Sequence, residues 1–379
     1  MCIGVASVCR PSVMILEIMA RTFLRRGDDV DIKTFTLQYP SLLFPGESQT
    51  VATPPPADLR IRRCVNTVNP LNWLSVGRTI RRERPDFVLL KYWTPFMAPC
   101  FGTIARLARG NGHTKVLCQI DNVEPHERHL SDRPFNRYFL SSVDGFIYMS
   151  EQVHRELRAY TAAPALFSPH PLFENFGERV PRAEACGRLG LDPTLRYVLF
   201  FGLVRDYKGL DLLLGAWALL KRRGRTEGRR LIVAGEFYTA KEPYLKQIAA
   251  SGLQEEVLLH DRFIPDAGVK DYFSAADFVV QPYKTATQSG VTQIAYQFCT
   301  PMVVTDVGGL AEIVPDGKVG YVCAPTAEAI AAAVERISDD GTLALFRRNC
   351  VGERRRFSWE RMCDRVTELY GLVSGTPER

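Results

Sequence analysis

The sequence predicts an α/β protein made of two doubly wound units, each built on a parallel sheet. Three observations predict it. Short apolar runs alternate with helical patterns, as strand–helix–strand crossovers require. The 379 residues exceed what one ordinary core of ~100–200 residues accommodates. The alternation also breaks once, from Pro169 to Cys186, and then resumes. The expected organisation is therefore a first unit over 1–175, a linker over 176–190, a second unit over 191–357 and a last helix over 358–379.

In the first unit the expected strands are Ile3–Val8, Val30–Phe35, Phe87–Lys91, Val116–Ile120 and Gly145–Met149. A helix over Ser12–Arg26 joins the first two and stops at Gly27. From Gln38 to Asp58 the prolines Pro40, Pro45 and Pro54-Pro55-Pro56 forbid regular structure and predict a surface loop. In the second unit the strands are Tyr197–Phe201, Leu231–Ala234, Val257–His260, Phe278–Gln281, Met302–Thr305 and Gly320–Val322. Helical patterns cover Leu210–Arg223, Ala327–Ile337 and Trp359–Leu372. The cleft between the two units is the expected ligand site.

Composition narrows the function classes. A 46% hydrophobic and 24% charged chain is globular, and no stretch reaches the ~20 apolar residues that span a bilayer. The start, with Arg10 and Pro11, reads as strand, loop and helix rather than as a signal peptide. Ten cysteines with no CxxC pair predict buried free thiols in a reducing cytoplasm. The net charge of +6 concentrates in the first unit, in Arg60, Arg62 and Arg63 and in Arg78, Arg81, Arg82 and Arg84. These groups read either as a solvated helix face or as a surface for anionic lipid headgroups or a lipid-phosphate acceptor at the inner face of a membrane. Nucleic acid is not expected, because no aromatics interleave with them.

The chemistry concentrates between Phe200 and Glu312. The run Phe200-Phe201-Gly202-Leu203-Val204-Arg205-Asp206-Tyr207-Lys208-Gly209 is a strand end followed by a loop with two cations. Parallel sheets bind ligands at such ends, and an arginine fork with a lysine point charge suits one diphosphate. Further on, Thr287-Gln288-Ser289-Gly290-Val291 feeds a helix at Gly290, where small residues let backbone N–H groups approach an anion. Then comes Pro301-Met302-Val303-Val304-Thr305-Asp306-Val307-Gly308-Gly309-Leu310-Ala311-Glu312, a buried strand, a double-glycine turn permitting positive φ, and a carboxylate.

In this order and spacing, over roughly residues 195–325, these motifs resemble the donor-binding half of glycosyltransferase family 4, of GT-B fold with two Rossmann-like domains. The first unit resembles the family through Tyr39-Pro40-Ser41-Leu42-Leu43-Phe44-Pro45-Gly46, Lys91-Tyr92-Trp93 and Asn122-Val123-Glu124-Pro125-His126-Glu127. The resemblance, to bacterial envelope and exopolysaccharide enzymes, implies transfer of a hexose from a UDP- or GDP-sugar to a lipid-linked or oligosaccharide acceptor. It implies retention at the anomeric carbon and neither metal nor cofactor, which agrees with the absence of a DxD in a suitable loop.

On that resemblance Arg205 and Lys208 take the diphosphate, with backbone N–H groups of Ser289, Gly290 and Val291. Gly202, Gln288, Gly308, Gly309 and Glu312 complete the donor side. The loop with Phe263 and Ile264 holds the base. Asp121, Asn122, His126 and Glu127 form the acceptor side, and Asp121 and His126 join Arg205 and Lys208 as the expected catalytic residues. Three departures stand out. Ala286 and Ile294 occupy the places of two family glutamates, for which Gln288 or Gln293 is the expected substitute. Arg10-Pro11 replaces a double glycine, and Asp121 replaces a histidine. Two readings follow: an active transferase, or a nucleotide-sugar-binding scaffold without turnover. A dinucleotide-dependent oxidoreductase is excluded, because its glycine fingerprint is missing from the opening strand.

Overall fold

A computed structural model of the chain describes residues 2–6, 10–40, 56–124, 130–286 and 289–375. Its first unit comprises Met1–Pro169 with Trp359–Arg379, and its second comprises His170–Ser358. In the first, strands β1 Cys2–Ala6, β2 Asp31–Leu37, β3 Ile61–Asn66, β4 Phe87–Tyr92, β5 Lys115–Ile120, β6 Gly145–Tyr148 and β7 Ala165–Phe167 pair in parallel, in the order β3-β2-β1-β4-β5-β6-β7. Strand β4 shows why the apolar runs were readable. Phe87 and Leu89 enter the core on one face of the sheet, and Val88, Leu90 and Tyr92 enter the core on the other. A parallel strand covered on both faces has no polar alternation to display.

Strands β3 and β7 escape the sequence reading for different reasons. β3 is an edge strand that carries exposed Arg62 and Arg63, a charged edge that discourages pairing with another chain. β7 is three residues long. The proline-rich loop read over Gln38 to Asp58 lies mostly outside the described residues. The last helix, Trp359–Ser374, belongs to the first unit: Trp359, Met362, Val366 and Leu369 pack with Phe23 and Ile147, and Arg26 pairs with Asp364 at 2.8 Å.

The second unit adds β8 Arg196–Phe201, β9 Arg229–Ala234, β10 Val257–His260, β11 Phe278–Gln281, β12 Met302–Thr305 and β13 Gly320–Cys323, all parallel in the order β10-β9-β8-β11-β12-β13. Tyr197, Leu199 and Phe201 face one core, and Val198 and Phe200 face the other. The expected linker over 176–190 is corrected. It contains a helix, Arg182–Leu189, whose Ala185 and Cys186 are buried in the second unit's core, and Arg182 binds Asp277. The proline and glycine signals before it obscured a helix held by tertiary burial.

The strand order reverses between β8 and β11. In such sheets the carboxyl ends of the strands at the reversal are where ligands bind. Among the described residues, Cys64, Cys100, Cys118, Cys186, Cys299, Cys323, Cys350 and Cys363 are free, and burial pushes the Cys100 thiol up to about 12. No helix among the described residues is long and apolar enough to cross a membrane.

Candidate active site

The loops after β8 and β11 meet at this switch point. Gly209, at φ 67°, lies so close to the loop after β11 that a Cβ there would stand 1.9 Å from the Pro282 carbonyl oxygen. Only glycine permits both that backbone conformation and that approach. At the end of β8, Gly202 has φ 97°, and a Cβ added to it would meet the Lys208 Nζ at 3.0 Å and the Val291 side chain at 3.7 Å. The fold thus gathers Gly202, Lys208 and the first turn of the helix Gly290–Gln297, which the sequence had placed in one site.

Two cations stand on the loop after β8 without a counter-charge. Among the described residues no carboxylate lies within ion-pairing distance of Arg205 or Lys208. Arg205 is exposed, and its guanidinium lies 5.2 Å from the centre of the Tyr238 ring. Tyr238 is set there by its backbone N–H, which donates to the Val204 carbonyl at 3.0 Å. The Lys208 ammonium stands 5.6 Å from the centre of the Tyr283 ring. Burial first, and then the charge of Arg205, pull Lys208 down from its ordinary 10.5 to about 8.

Tyr283 is 3% exposed and links both halves of the site, because its hydroxyl also lies 3.1 Å from Ser289 Oγ at the cap of the helix Gly290–Gln297. That helix begins where the sequence placed it. Its first-turn N–H groups have no acceptor within the helix and carry the positive end of its dipole. Thr305, at the end of β12, donates to the Tyr283 carbonyl at 2.7 Å and fixes the loop from below. Sequence reasoning missed Tyr238 and Tyr283. The only available signal was an aromatic residue a few positions beyond each of two strands.

The remaining donor-side residues are placed as follows. Gly308, at φ 53°, and Gly309 form the turn after β12, followed by the short helix Leu310–Ile313 with exposed Glu312. Phe263 is exposed on the loop after β10, whereas Ile264 packs against the core. Gln288 lies outside the described residues. Ala286 and Ile294, at the two positions where the family carries glutamate, pack in the core. Gln293 is 3% exposed with its Oε1 unpartnered, so its amide is enclosed by protein rather than presented to solvent.

In the first unit, Asp121 stands at the end of β5, and both its oxygens contact the ammonium of Lys91, at 2.9 and 2.8 Å. Lys91 is 3% exposed on β4, so Asp121 is the counter-ion of a buried lysine, a partner the sequence reading did not assign. Asn122 follows it, part-buried, and His126 and Glu127 lie outside the described residues. Of the basic groups, Arg60 is paired with Asp29, and Arg62 with Asp31 and Glu83. Arg78, Arg81, Arg82 and Arg84 are exposed. No group of three or more metal-ligating side chains occurs among the described residues.

Residues 196–340 match the family described as "Glycosyl transferases group 1", and residues 15–171 match the "Glycosyl transferase 4-like domain". A D-inositol 3-phosphate glycosyltransferase of Rhodococcus jostii is 32% identical over 200 residues, 51% of this chain and 44% of the relative. One of Streptomyces bingchenggensis is 28% identical over 268 residues, 67% of this chain and 58% of the relative. The chain spans about half the length of the curated relatives it matches. Among solved structures, Anabaena HepE in complex with UDP superposes with a TM-score of 0.71 at 15% identity, covering 98% of this chain and 99% of that one. Sucrose-phosphate synthase from Thermosynechococcus elongatus gives 0.70 at 18% identity, covering 99% and 100%. With two parallel, doubly wound units, the fold is GT-B, and the chain belongs to glycosyltransferase family 4.

Proposed function

We propose that this protein is a retaining glycosyltransferase that moves a hexose from a nucleotide diphosphate sugar to a lipid-linked or oligosaccharide acceptor in cell-envelope polysaccharide synthesis. The carrying observation is the uncompensated pair Arg205 and Lys208, of which Lys208 lies with Val291, in the first turn of the helix Gly290–Gln297, beside Gly202. Such a pair is electrostatically unfavourable alone and favourable around a diphosphate. Removing one comparable charge stabiliser from a preorganised site costs ~3–4 kcal/mol of barrier.

In this reading the bond between the anomeric carbon and the diphosphate oxygen breaks, and its electron pair stays on the phosphate. Arg205, Lys208 and the N–H groups of Ser289, Gly290 and Val291 stabilise that charge. The acceptor hydroxyl attacks from the same face, and its proton passes to the departing phosphate oxygen, so no separate protein base is needed. Asp121, held by Lys91, shapes the acceptor side rather than taking the proton.

The base is the first unknown, and the UDP carried by HepE makes UDP the first nucleotide to try. The relatives named for D-inositol 3-phosphate make a phosphorylated polyol a further acceptor to assay. A thermal-shift panel of UDP, GDP, ADP and their sugars tests the donor, since a ligand at 100 times its Kd stabilises by ~2.7 kcal/mol. No shift with any of them would end this reading.

The second reading, a scaffold without turnover, is favoured by the apolar packing of Ala286 and Ile294 where the family carries glutamates. Release of nucleotide from a donor sugar, with or without acceptor, would exclude it. The protein works at the cytoplasmic face, with weak salt-sensitive contact to anionic membrane through Arg78, Arg81, Arg82 and Arg84. Vesicle binding that ignores salt and lipid charge would refute this.

A further inference from the structure

A second group of unpaired cations lies in the first unit. A groove of about 840 Å³ is lined by Arg106, Arg133, Arg137, Tyr138, Tyr160 and Glu124. Several arginines of this unit meet carboxylates, Arg21 with Asp58, Arg26 with Asp364, Arg62 with Asp31 and Arg109 with Asp144. Arg78, Arg81, Arg82 and Arg84 are exposed on another helix and its cap and do not line this groove. Among the described residues no carboxylate pairs with the three groove arginines. Arg133 and Arg137 stand four apart on the helix Asp132–Leu140, where like charges repel.

Arg106 is held in place. Its guanidinium lies 3.9 Å from the centre of the Tyr138 ring and donates to the Gly102 carbonyl at 2.9 Å, to the Tyr138 carbonyl at 2.6 Å and to Ser141 Oγ at 2.9 Å. A Cβ at Gly102 would stand 2.6 Å from the Tyr138 ring, so the stack needs glycine there. An arginine fixed by neutral acceptors keeps its full charge available. Arg133 and Arg137 offer guanidinium forks with no carboxylate partner, and Arg106, its own donors largely engaged, adds fixed positive charge beside them, a set that suits a phosphate. The helix is tied to the loop after β5, which carries Asp121, by Asn136, which donates to the Val123 carbonyl at 2.7 Å.

We infer that this groove is a phosphate subsite on the acceptor side, taking the phosphate of a soluble phosphomonoester or of a lipid; this rests on the reading of the first unit as the acceptor half. The test compares wild type with Arg133→Glu/Arg137→Glu, both checked for folding by circular dichroism. Glucose 6-phosphate is titrated by calorimetry, with glucose as the neutral control. Flotation uses vesicles of phosphatidylcholine with and without phosphatidylglycerol. The donor site is identical in both proteins, so the difference between them isolates the groove.

A tenfold or greater loss of glucose 6-phosphate affinity in the variant supports a soluble phosphomonoester. A loss of flotation confined to anionic vesicles supports a lipid phosphate. Equal behaviour of the two proteins in both assays overturns the subsite. UDP thermal shifts run in parallel keep the two proposals separate. Their absence in both proteins counts against the donor reading, and their presence beside equal phosphate behaviour counts against the groove alone.

Discussion

Replacing Lys208 by methionine removes a charge that the folded protein holds at a cost and that the donor requires. The ammonium falls from 10.5 to about 8. At ~1.4 kcal/mol per unit this depression corresponds to roughly 3 kcal/mol of unfavourable folded-state environment. Lys208 is only part-buried, so solvent screening brings a realistic figure to ~1–2 kcal/mol. The sign follows from proton binding. Between pH 8 and 10.5 the unfolded chain holds this proton and the folded protein does not, so wild-type stability rises with pH there. Below pH 8 the full cost is present. Methionine keeps an unbranched chain beside Tyr283 and removes the cost. At pH 7 the ligand-free variant should therefore melt ~2–8 °C above wild type, and the difference should close by pH 10.5. Its response to the nucleotide should vanish and turnover should fall ~100-fold. Thermal unfolding at the two pH values, with and without UDP, makes the measurement. A variant that melts lower at pH 7, or that keeps the full UDP shift, would refute both the burial argument and the site.

The same group predicts a pH profile. With Lys208 neutral above about 8 in the free protein, the donor KM should rise up to ~10-fold per pH unit beyond that point, while kcat at saturating donor stays level. A KM flat to pH 9.5 would refute it. Tyr238→Ala should raise the donor KM ~5-fold by releasing the Arg205 guanidinium, whereas Tyr238→Phe should leave it unchanged, since a cation over a ring contributes ~1 kcal/mol. Equal effects of the two substitutions would show that the ring does not act on Arg205. Asp121→Asn should destabilise the protein by ~3 kcal/mol in denaturant titrations, because it strands buried Lys91, and adding Lys91→Met should restore most of that loss. A stable single variant would mean that the pair is not what Asp121 is for.

How much of this was legible depended on how local each cause was. The six strands of the second unit could be read because parallel strands covered on both faces are apolar throughout, as Tyr197–Phe201 is. The helix Arg182–Leu189 could not, since its burial depends on partners such as Asp277, far along the chain. Likewise the proximity of Lys208 to the helix starting at Gly290 was readable from their order along the chain. Tyr238 and Tyr283 were not, because an aromatic ring beneath a cation is a tertiary event with no period or spacing to announce it. The exposed arginines mislead in the other direction. Arg62 looks like free positive charge in the sequence, and only the fold sets it against Asp31 and Glu83.

The way the carboxylates nearest to Arg205 and Lys208 are disposed gives one reason to read the switch point as a ligand site. Some cations of the second unit are answered, Arg188 by Asp271, Lys221 by Glu256 and Lys318 by Glu353, so unpaired charge alone does not single out the switch point; the turning away of its nearest carboxylates does. Two carboxylates lie close in sequence to Arg205 and Lys208, and both are turned to other partners. Asp206 accepts from the Tyr244 hydroxyl at 3.3 Å, and Asp211 pairs with Lys284 at 2.8 Å. What faces the two cations instead is aromatic, Tyr238 and Tyr283, which support a positive charge without neutralising it. An internal carboxylate would stabilise the empty protein and compete with an incoming diphosphate. Aromatic support keeps both charges in position and available. A fold under selection for stability alone would place Asp206 or Asp211 against them. The opposite arrangement is what a protein gains from when an anion arrives from outside.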